Sequence, residues 1–252
     1  NIYLESDIPM GRGISSSSAL CVATLKALNK FFRTSFSDKH IAILAQKVER
    51  NYIGVSGGIM DQMVSSIGIH GKAFFLDCLS LKYELLEIPL NWQFCLIDSE
   101  VQRNLRDSSY NERYEQLKKA EKILGVEYLG SVKLSTFNNN DFSDEVIYKR
   151  VKHVVTENER VLNAKRYIRN NNLSRFGELM NLSHHSYSND FEASTEDVDV
   201  ITKRSVESGA AGSRLTGGGF GGFTVSLIEK SNYDLWYKNM RKHYSEDKFF
   251  AM

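Results

Sequence analysis

Residues 8–28 read IPMGRGISSSSALCVATLKAL, in which two spaced glycines and four serines run directly into an apolar segment. A serine run is typical of linkers, but a linker is not usually followed at once by apolar residues at Leu20, Leu25, Leu28 and Phe32. That spacing predicts a buried helix over residues 19–32, and residues 2–8 have the character of a short strand. The stretch therefore predicts a strand, a loop and a helix.

The loop at the helix start has the composition of a phosphate site. The first N–H groups of a helix, about four of them, have no partner within the helix and carry a positive partial charge. Gly11 and Gly13 allow the backbone to approach an anion, and the serine hydroxyls add donors or a magnesium ligand. The alternative interpretation is that one serine caps the helix and the others have no role. No Gly-Lys-Ser or Gly-Lys-Thr follows, which excludes a Walker-type loop.

Composition and charge favour a globular protein that acts on a small ligand. The chain has 252 residues, 42% of them hydrophobic, with 32 basic against 31 acidic residues. This balance gives no electrostatic reason to expect nucleic acid or an anionic membrane as a partner. The three cysteines are widely spaced, which predicts a reduced intracellular protein without a disulfide or a structural zinc site.

The ends of the chain indicate a cytoplasmic protein and a segment of a longer one. No apolar run approaches the roughly 18 residues of a membrane span, and the opening NIYLESD is unlike a signal peptide. The chain starts at Asn1 without a methionine and stops at KFFAM, which has the character of a strand. Parts of a functional site are therefore expected to lie outside these residues.

The remaining pattern predicts an α+β fold, since helices and clustered strands occur without regular βαβ units. A second helix over residues 37–50 has Ser37 as its cap, and a third follows a glycine-rich turn at residues 54–58. Residues 72–99 contain two or three strands. The third helix has one apolar face, formed by Met60, Met63, Val64 and Ile67. The later elements are helices over residues 109–124, 146–170, 173–186 and 196–208, then a short strand, a glycine loop and a strong strand.

The glycine loop, TGGGFGG at residues 216–222, satisfies the GxGxxG pattern of dinucleotide sites at Gly217, Gly219 and Gly222. That pattern must open a helix, whereas FTVSLI, which follows here, consists of strand formers, so a dinucleotide site is excluded. The alternatives are a plain hairpin and a backbone segment in close contact with a ligand or another loop. Five glycines in six residues exceed what a turn needs and favour close contact.

Two carboxylates, Glu49 and Asp61, are placed at the edges of apolar helix faces, where a metal ligand and a general base would border a cleft. Asp61 lies in the first turn of its helix, where the helix dipole alone would also favour a carboxylate. His184 and His185 are adjacent and point about 100° apart on a helix, so packing or solvent is the preferred interpretation. Arg103 and Arg106 are candidates for phosphate contact, with an ordinary surface role as the favoured alternative.

In chain order, PMGRGISSSSAL, GGIMDQ and SRLTGGGFGG resemble motifs of the GHMP small-molecule kinases, and within that family the galactokinase branch. The match extends to QKVER, whose glutamate precedes the aspartate by twelve residues, and to the tyrosine of RDSSYNER. The resemblance implies a two-domain α+β fold that is truncated at its N-terminus. Residues 1–92 would be the later part of an ATP- and sugar-binding domain, and residues 93–252 the C-terminal domain.

The resemblance also implies an activity and a set of roles. The activity is ATP-dependent phosphorylation of the anomeric 1-hydroxyl of an aldose, with galactose preferred, and the partners are the sugar and ATP without nucleic acid or membrane. Ser17 and Glu49 would hold Mg²⁺, and Asp61 would take the proton of the sugar hydroxyl. Sugar contacts would come from Gly58, Asp61 and Tyr110. ATP contacts would come from Gly11, Gly13, Ser15, Ser16, Ser17, Ser18, Gly218 and Gly219.

Several positions depart from the galactokinase pattern. Ser56-Gly57 stands where Pro-Cys is usual, Gln102 replaces an arginine, and Ser18 replaces an alanine. The family's first motif, G-R-x-N-L-I-G-E-H, does not occur in these residues. The four-serine run and ERNYIGVSGG are similar to N-acetylgalactosamine kinase. N-acetylgalactosamine or arabinose as substrate therefore remains an alternative, as does an inactive sugar and ATP sensor.

Overall fold

The computed structural model describes residues 2–11, 13–54, 57–101, 108–138 and 142–252. The chain divides into two compact units, Asn1–Ile88 and Pro89–Met252. Within the described ranges, no helix is both long enough and apolar enough to cross a membrane.

The first unit contains three helices and a hairpin. Its elements are α1 Ser16–Phe31, α2 Asp38–Val48, a π-helical turn Glu49–Ile53, α3 Met60–Ile67, β1 Lys72–Leu76 and β2 Tyr83–Glu87. The predicted cap of α2 is confirmed, because the Ser37 hydroxyl accepts a hydrogen bond from the backbone N–H of His40 at 3.3 Å. β1 and β2 are antiparallel, with Phe74 opposite Leu85.

The core of the first unit lies between the three helices and β1. Val22 of α1 packs with Ile41 and Ala45 of α2, and Met63 of α3 packs with Leu76 of β1. These contacts bury one narrow stripe on each helix, because a helix surface repeats about every 3.6 residues.

The predicted buried face of α3 is partly wrong. Met63 is fully buried, but Met60 and Val64 are 37% and 42% exposed, whereas Gln62 and Ser66 are buried. The polar pair is buried because both side chains have partners inside the unit: Ser66 donates to a backbone carbonyl of α2, and Gln62 donates to a carboxylate described below.

A similar correction applies to α1, where Leu20 and Phe32 are exposed while Ser18 and Val22 are buried. The strand predicted over residues 2–8 is also wrong, because these residues have no strand conformation. A strand needs a neighbour for its backbone groups, and the described strand pairs of this unit are those between β1 and β2.

The second unit is built on a four-stranded antiparallel sheet of order β4-β5-β3-β6. The strands are β3 Trp92–Asp98, β4 Gly212–Leu215, β5 Phe223–Glu229 and β6 Phe249–Ala251. β3 and β5 pair along their whole lengths, with Trp92 opposite Glu229 and Asp98 opposite Phe223. The predicted strand pair around the glycine loop is confirmed as β4 and β5, which makes this loop the turn of a hairpin.

In the described part of the second unit, five α-helices accompany this sheet. They are α4 Ser108–Leu124, α5 Glu145–Arg169, α6 Leu173–Asn189, α7 Glu196–Glu207 and α8 Tyr233–Met240. Side chains of Asp144, Asn172 and Thr195 cap α5, α6 and α7. α8 was not among the predicted helices, yet its Trp236 is fully buried against Ile97 and Ile228 of the sheet. The α+β class predicted from the sequence is confirmed.

Candidate active site

The start of α1 lacks the usual serine cap. Ser15 occupies the N-cap position in the left-handed region at φ 63°, and its side chain makes no capping hydrogen bond with the described residues. Gly11 and Gly13 precede it with φ of 72° and 76°. The interpretation that a serine caps this helix in the ordinary way is therefore wrong for Ser15. The first N–H groups of α1 receive no capping bond from that side chain, and such groups are suited to bind an anion.

The next turn of α1 reaches a buried carboxylate. Ser17 Oγ donates to Glu49 Oε1 at 2.7 Å, and Ser18 Oγ donates to Glu49 Oε2 at 2.8 Å. Gln62 Nε2 donates to the same Oε2 at 2.5 Å and to Ser18 Oγ at 3.1 Å. The three helical segments α1, Glu49–Ile53 and α3 thus meet at one side chain, and Glu49 is only 6% exposed.

All three donors to Glu49 among the described residues are neutral. A buried carboxylate is expensive unless hydrogen bonds or a cation compensate for lost hydration. The pKa of the Cys21 thiol on α1 is raised, chiefly by burial and to a smaller extent by the negative charge of Glu49. The local field therefore favours a cation beside Glu49.

The donor set fits Mg²⁺. The Ser17 hydroxyl and the Glu49 carboxylate are hard oxygen donors only 2.7 Å apart, and Mg²⁺ is commonly held by one or two carboxylates together with substrate phosphates and water. Within the described residues, no three His, Cys, Asp or Glu side chains form a complete metal cluster. Phosphate oxygens and water would have to supply the remaining ligands, as this cation prefers.

Asp61 and Gly58 lie beside this network. Asp61 is in the first turn of α3, immediately before Gln62, and its side chain is exposed. A Cβ built on Gly58 would have no atom of the described residues within 4 Å. The carbonyl of Gly57 accepts hydrogen bonds from Arg50 Nη2 at 2.9 Å and Gln46 Nε2 at 3.3 Å. These bonds tie the entry of α3 to α2 and to the turn that carries Glu49.

The glycine loop belongs to the second unit and is packed tightly there. A Cβ built on Gly219 would lie 2.3 Å from the carbonyl oxygen of Ala193, and one built on Gly221 would lie 2.6 Å from a methyl carbon of Val101. The N–H of Phe220 also donates to that Ala193 carbonyl at 2.7 Å. The close contact expected at this loop is present, and within this unit it is made with Ala193 and Val101. Gly218 is half-buried.

Several predicted positions fall outside the described part of the structure. They are the side chain of Tyr110, which belongs to α4, and residues Ser56, Gln102, Arg103 and Arg106. Of the two adjacent histidines, His184 lies 3.2 Å from Asp199 and its pKa is lowered, chiefly by burial, while His185 is exposed.

Sequence reasoning missed Gln62 as a member of the site. The residue is part of GGIMDQ, but the apolar pattern placed the buried face of α3 elsewhere. A signal was available, because a glutamine follows the candidate base directly and lies only one position from Met63, which is buried. Its role becomes visible only through its contact with Glu49, thirteen positions earlier.

Comparisons with known proteins bear on the family of the chain. The family model for the GHMP kinases N terminal domain matches residues 1–68, and that for GHMP kinases C terminal matches residues 164–246. A galactokinase from Fusobacterium nucleatum is 36% identical over 98% of this chain and 66% of its own length. The crystal structure of Lactococcus lactis galactokinase complexed with galactose has a TM-score of 0.92 and 32% identity, covering 98% of this chain and 67% of that one.

The chain belongs to the GHMP kinase family. It spans 66% of the length of the curated galactokinases that it matches, such as the Clostridium perfringens enzyme at 35% identity. The fold is also shared with L. major mevalonate kinase in complex with R-mevalonate, at a TM-score of 0.62 and 18% identity. At that identity the likeness shows the fold alone.

Proposed function

We propose that the protein containing this chain is a galactokinase, which transfers the γ-phosphoryl group of ATP to the anomeric 1-hydroxyl of galactose. The observation that carries the proposal is the pairing of Ser17 with buried Glu49 at the mouth of a helix whose N-cap serine forms no cap. This arrangement has hard oxygen ligands beside the first backbone N–H groups of α1, which the Ser15 side chain does not cap, and it suits a metal–triphosphate ligand. The galactokinase relatives support galactose as the acceptor.

Phosphoryl transfer depends mainly on positioning and on neutralising the charge of the phosphates. The N–H groups at the start of α1 would donate to phosphate oxygens, with Gly11 and Gly13 allowing close approach and the hydroxyls of Ser15 and Ser16 as further donors. Gly218 and Gly219 are assigned as backbone contacts of the nucleotide. Mg²⁺, when bound by Ser17 and Glu49, would neutralise phosphate charge.

Asp61 is assigned as the group that accepts the proton of the sugar hydroxyl. Its exposed carboxylate, in the first turn of α3, is available to a substrate. Gly58 leaves space for the sugar beside it, and Tyr110 is assigned as a further sugar contact. The proposal includes a cytoplasmic location and a domain division between residues 92 and 93.

The test is sugar-dependent ADP release by the full-length protein and by its Asp61→Asn variant. A general base typically contributes about 10²–10⁴ in rate, so kcat should fall at least about 100-fold while ATP affinity changes little. Asp38→Asn is the matched control, because Asp38 is also an exposed carboxylate in the first turn of a helix of the same unit. Its kcat should stay within about twofold of the wild type.

A panel of galactose, N-acetylgalactosamine and arabinose identifies the acceptor in the same assay. Turnover with galactose above the other sugars supports the proposal. Faster turnover of another sugar would assign that sugar as the substrate. Tight binding of sugar and ATP without ADP release would favour a sensor. Wild-type turnover in Asp61→Asn would remove Asp61 as the base.

A further inference from the structure

The two oxygens of the Glu49 carboxylate are held in different ways. Among the described residues, Oε1 accepts one hydrogen bond, from Ser17, which is itself a candidate cation ligand. Oε2 accepts two, from Ser18 and Gln62, at 2.8 and 2.5 Å. Ser18 and Gln62 are also bonded to each other and are 3% and 4% exposed, so the contacts on Oε2 are shielded from water.

This asymmetry matters when a cation binds. A bound cation would take one lone pair of Oε1 and one of the Ser17 hydroxyl, so both oxygens of this bond would face the metal. The bonds to Oε2 involve neither candidate ligand atom and can persist. The carboxylate is then anchored through one oxygen while the other is available.

The buried amide shows that this anchoring has a cost. Gln62 Oε1 has no hydrogen-bond partner among the described residues, although it is buried. An unsatisfied buried polar atom lowers the stability of the folded state, because its lost hydration is not compensated. Orienting the amide so that Nε2 faces Glu49 leaves that oxygen unpaired, and the compensating interaction is a charge-assisted hydrogen bond to the carboxylate.

We propose that Ser18 and Gln62 are positioning residues, which hold Oε2 of Glu49 so that Oε1 and the Ser17 hydroxyl face one divalent cation. The inference rests on the proposed kinase function and adds two residues to it. Neither is proposed to touch the cation. Groups that orient a metal ligand typically affect metal affinity or activity by about 10- to 100-fold when they are removed, because the ligand must otherwise be ordered at the moment of binding.

The test measures cation affinity directly in Ser18→Ala. Mn²⁺, which is visible by electron paramagnetic resonance, is titrated into the full-length protein saturated with a non-hydrolysable ATP analogue. The Kd for Mn²⁺ should rise about 10-fold. The family resemblance places Ser18 among the ATP contacts, but its buried hydroxyl is bonded to Glu49 and Gln62. Affinity for the nucleotide without metal, measured in EDTA, should therefore stay unchanged. A loss of that affinity would assign Ser18 to the nucleotide and overturn the proposal.

Ser66→Ala is the matched control. Ser66 is also a buried serine of the first unit, and its hydroxyl donates to the backbone carbonyl of Asp38 at 2.8 Å. The substitution removes the same atoms and a comparable hydrogen bond, so it reports the effect of lost stability alone. Its Kd for Mn²⁺ should equal that of the wild type.

Gln62→Met gives an independent measurement, since it keeps the length of the side chain and removes the donor. Its Kd for Mn²⁺ should also rise, and the double variant should be less than additive because both residues hold one oxygen. Unchanged Mn²⁺ affinity in Ser18→Ala, or an equal loss in Ser66→Ala, overturns the proposal. If Ser18→Ala does not fold, Gln62→Met decides by the same criteria. A wild-type protein that binds no Mn²⁺ with nucleotide refutes the proposed function instead.

Discussion

Replacing Gly219 by alanine should destabilise the second unit strongly. The backbone at Gly219 has φ of 86°, and a Cβ there would lie 2.3 Å from the Ala193 oxygen and 2.8 Å from the Ala193 Cβ. Left-handed backbone costs a residue with a Cβ about 1–2 kcal/mol, and overpacking adds about 1–3 kcal/mol. Separation of the loop from Ala193 also weakens the hydrogen bond from Phe220, worth about 1 kcal/mol.

Alanine restricts the unfolded chain more than glycine does, which returns about 0.4–1 kcal/mol. These three costs, less the return, lower the free energy of unfolding by about 2–6 kcal/mol, with a central value of about 4 kcal/mol. Gly125→Ala is the control, because Gly125 in the same unit has φ of 64° but open space around it. Its loss should be only about 1 kcal/mol.

The assay is urea unfolding followed by tryptophan fluorescence. Both tryptophans of the chain, Trp92 and Trp236, lie in the second unit, so the signal reports on that unit. Equal losses in Gly219→Ala and Gly125→Ala would refute the reasoning, because they would show that the contact with Ala193 does not limit the side chain at residue 219.

Two further predictions concern buried basic side chains of the second unit and use the same assay. Burial lowers the pKa of His153 to about 4 despite the nearby charge of Glu157. As the pH falls, the unfolded chain therefore takes up the proton first, and the contribution of neutral His153 to stability is fully present only above about pH 6.5. The free energy of unfolding should fall by about 1 kcal/mol between pH 7.5 and 5.5. His153→Gln should flatten that slope, and an unaltered slope would contradict the assignment. Arg150→Met should cost about 3 kcal/mol, since the buried guanidinium donates three hydrogen bonds of 2.6–2.9 Å. Lys149→Met, which removes a more exposed cation, should cost less than about 0.5 kcal/mol, and similar losses in both would contradict the role of burial.

Local sequence signals predicted most of the secondary structure. Ser37 caps α2 as expected, and the strands predicted on both sides of the glycine loop are present as β4 and β5. Their pairing makes the loop a hairpin, which was the less favoured of the two interpretations. These features depend on residues close together in the chain, which is why patterns and turn chemistry identify them. The wrong predictions also came from local patterns. Residues 2–8 have the composition of a strand, but no described strand pairs with them.

Packing direction was predicted less well. On α3 the larger apolar residues Met60 and Val64 were expected inside, yet Gln62 and Ser66 are buried instead. Hydrophobicity ranks side chains by their transfer free energy. It therefore underestimates how often a polar residue is buried when that residue has a hydrogen-bond partner in the interior. Such a partner belongs to another element and is invisible in the pattern of one helix.

The sequence by itself predicted most of the element types and the GHMP kinase membership, because these depend on residue type and short spacing. The phosphate chemistry of the loop at residues 11–18 stays a prediction from the same kind of signal. Only the tertiary structure decided what the fourth serine does. Ser18 is separated from Glu49 by 31 positions, and the two meet only when α1, α2 and α3 pack together. The bond forms because a buried carboxylate must be satisfied by whichever donors the fold brings within reach, and that set is a property of three-dimensional packing.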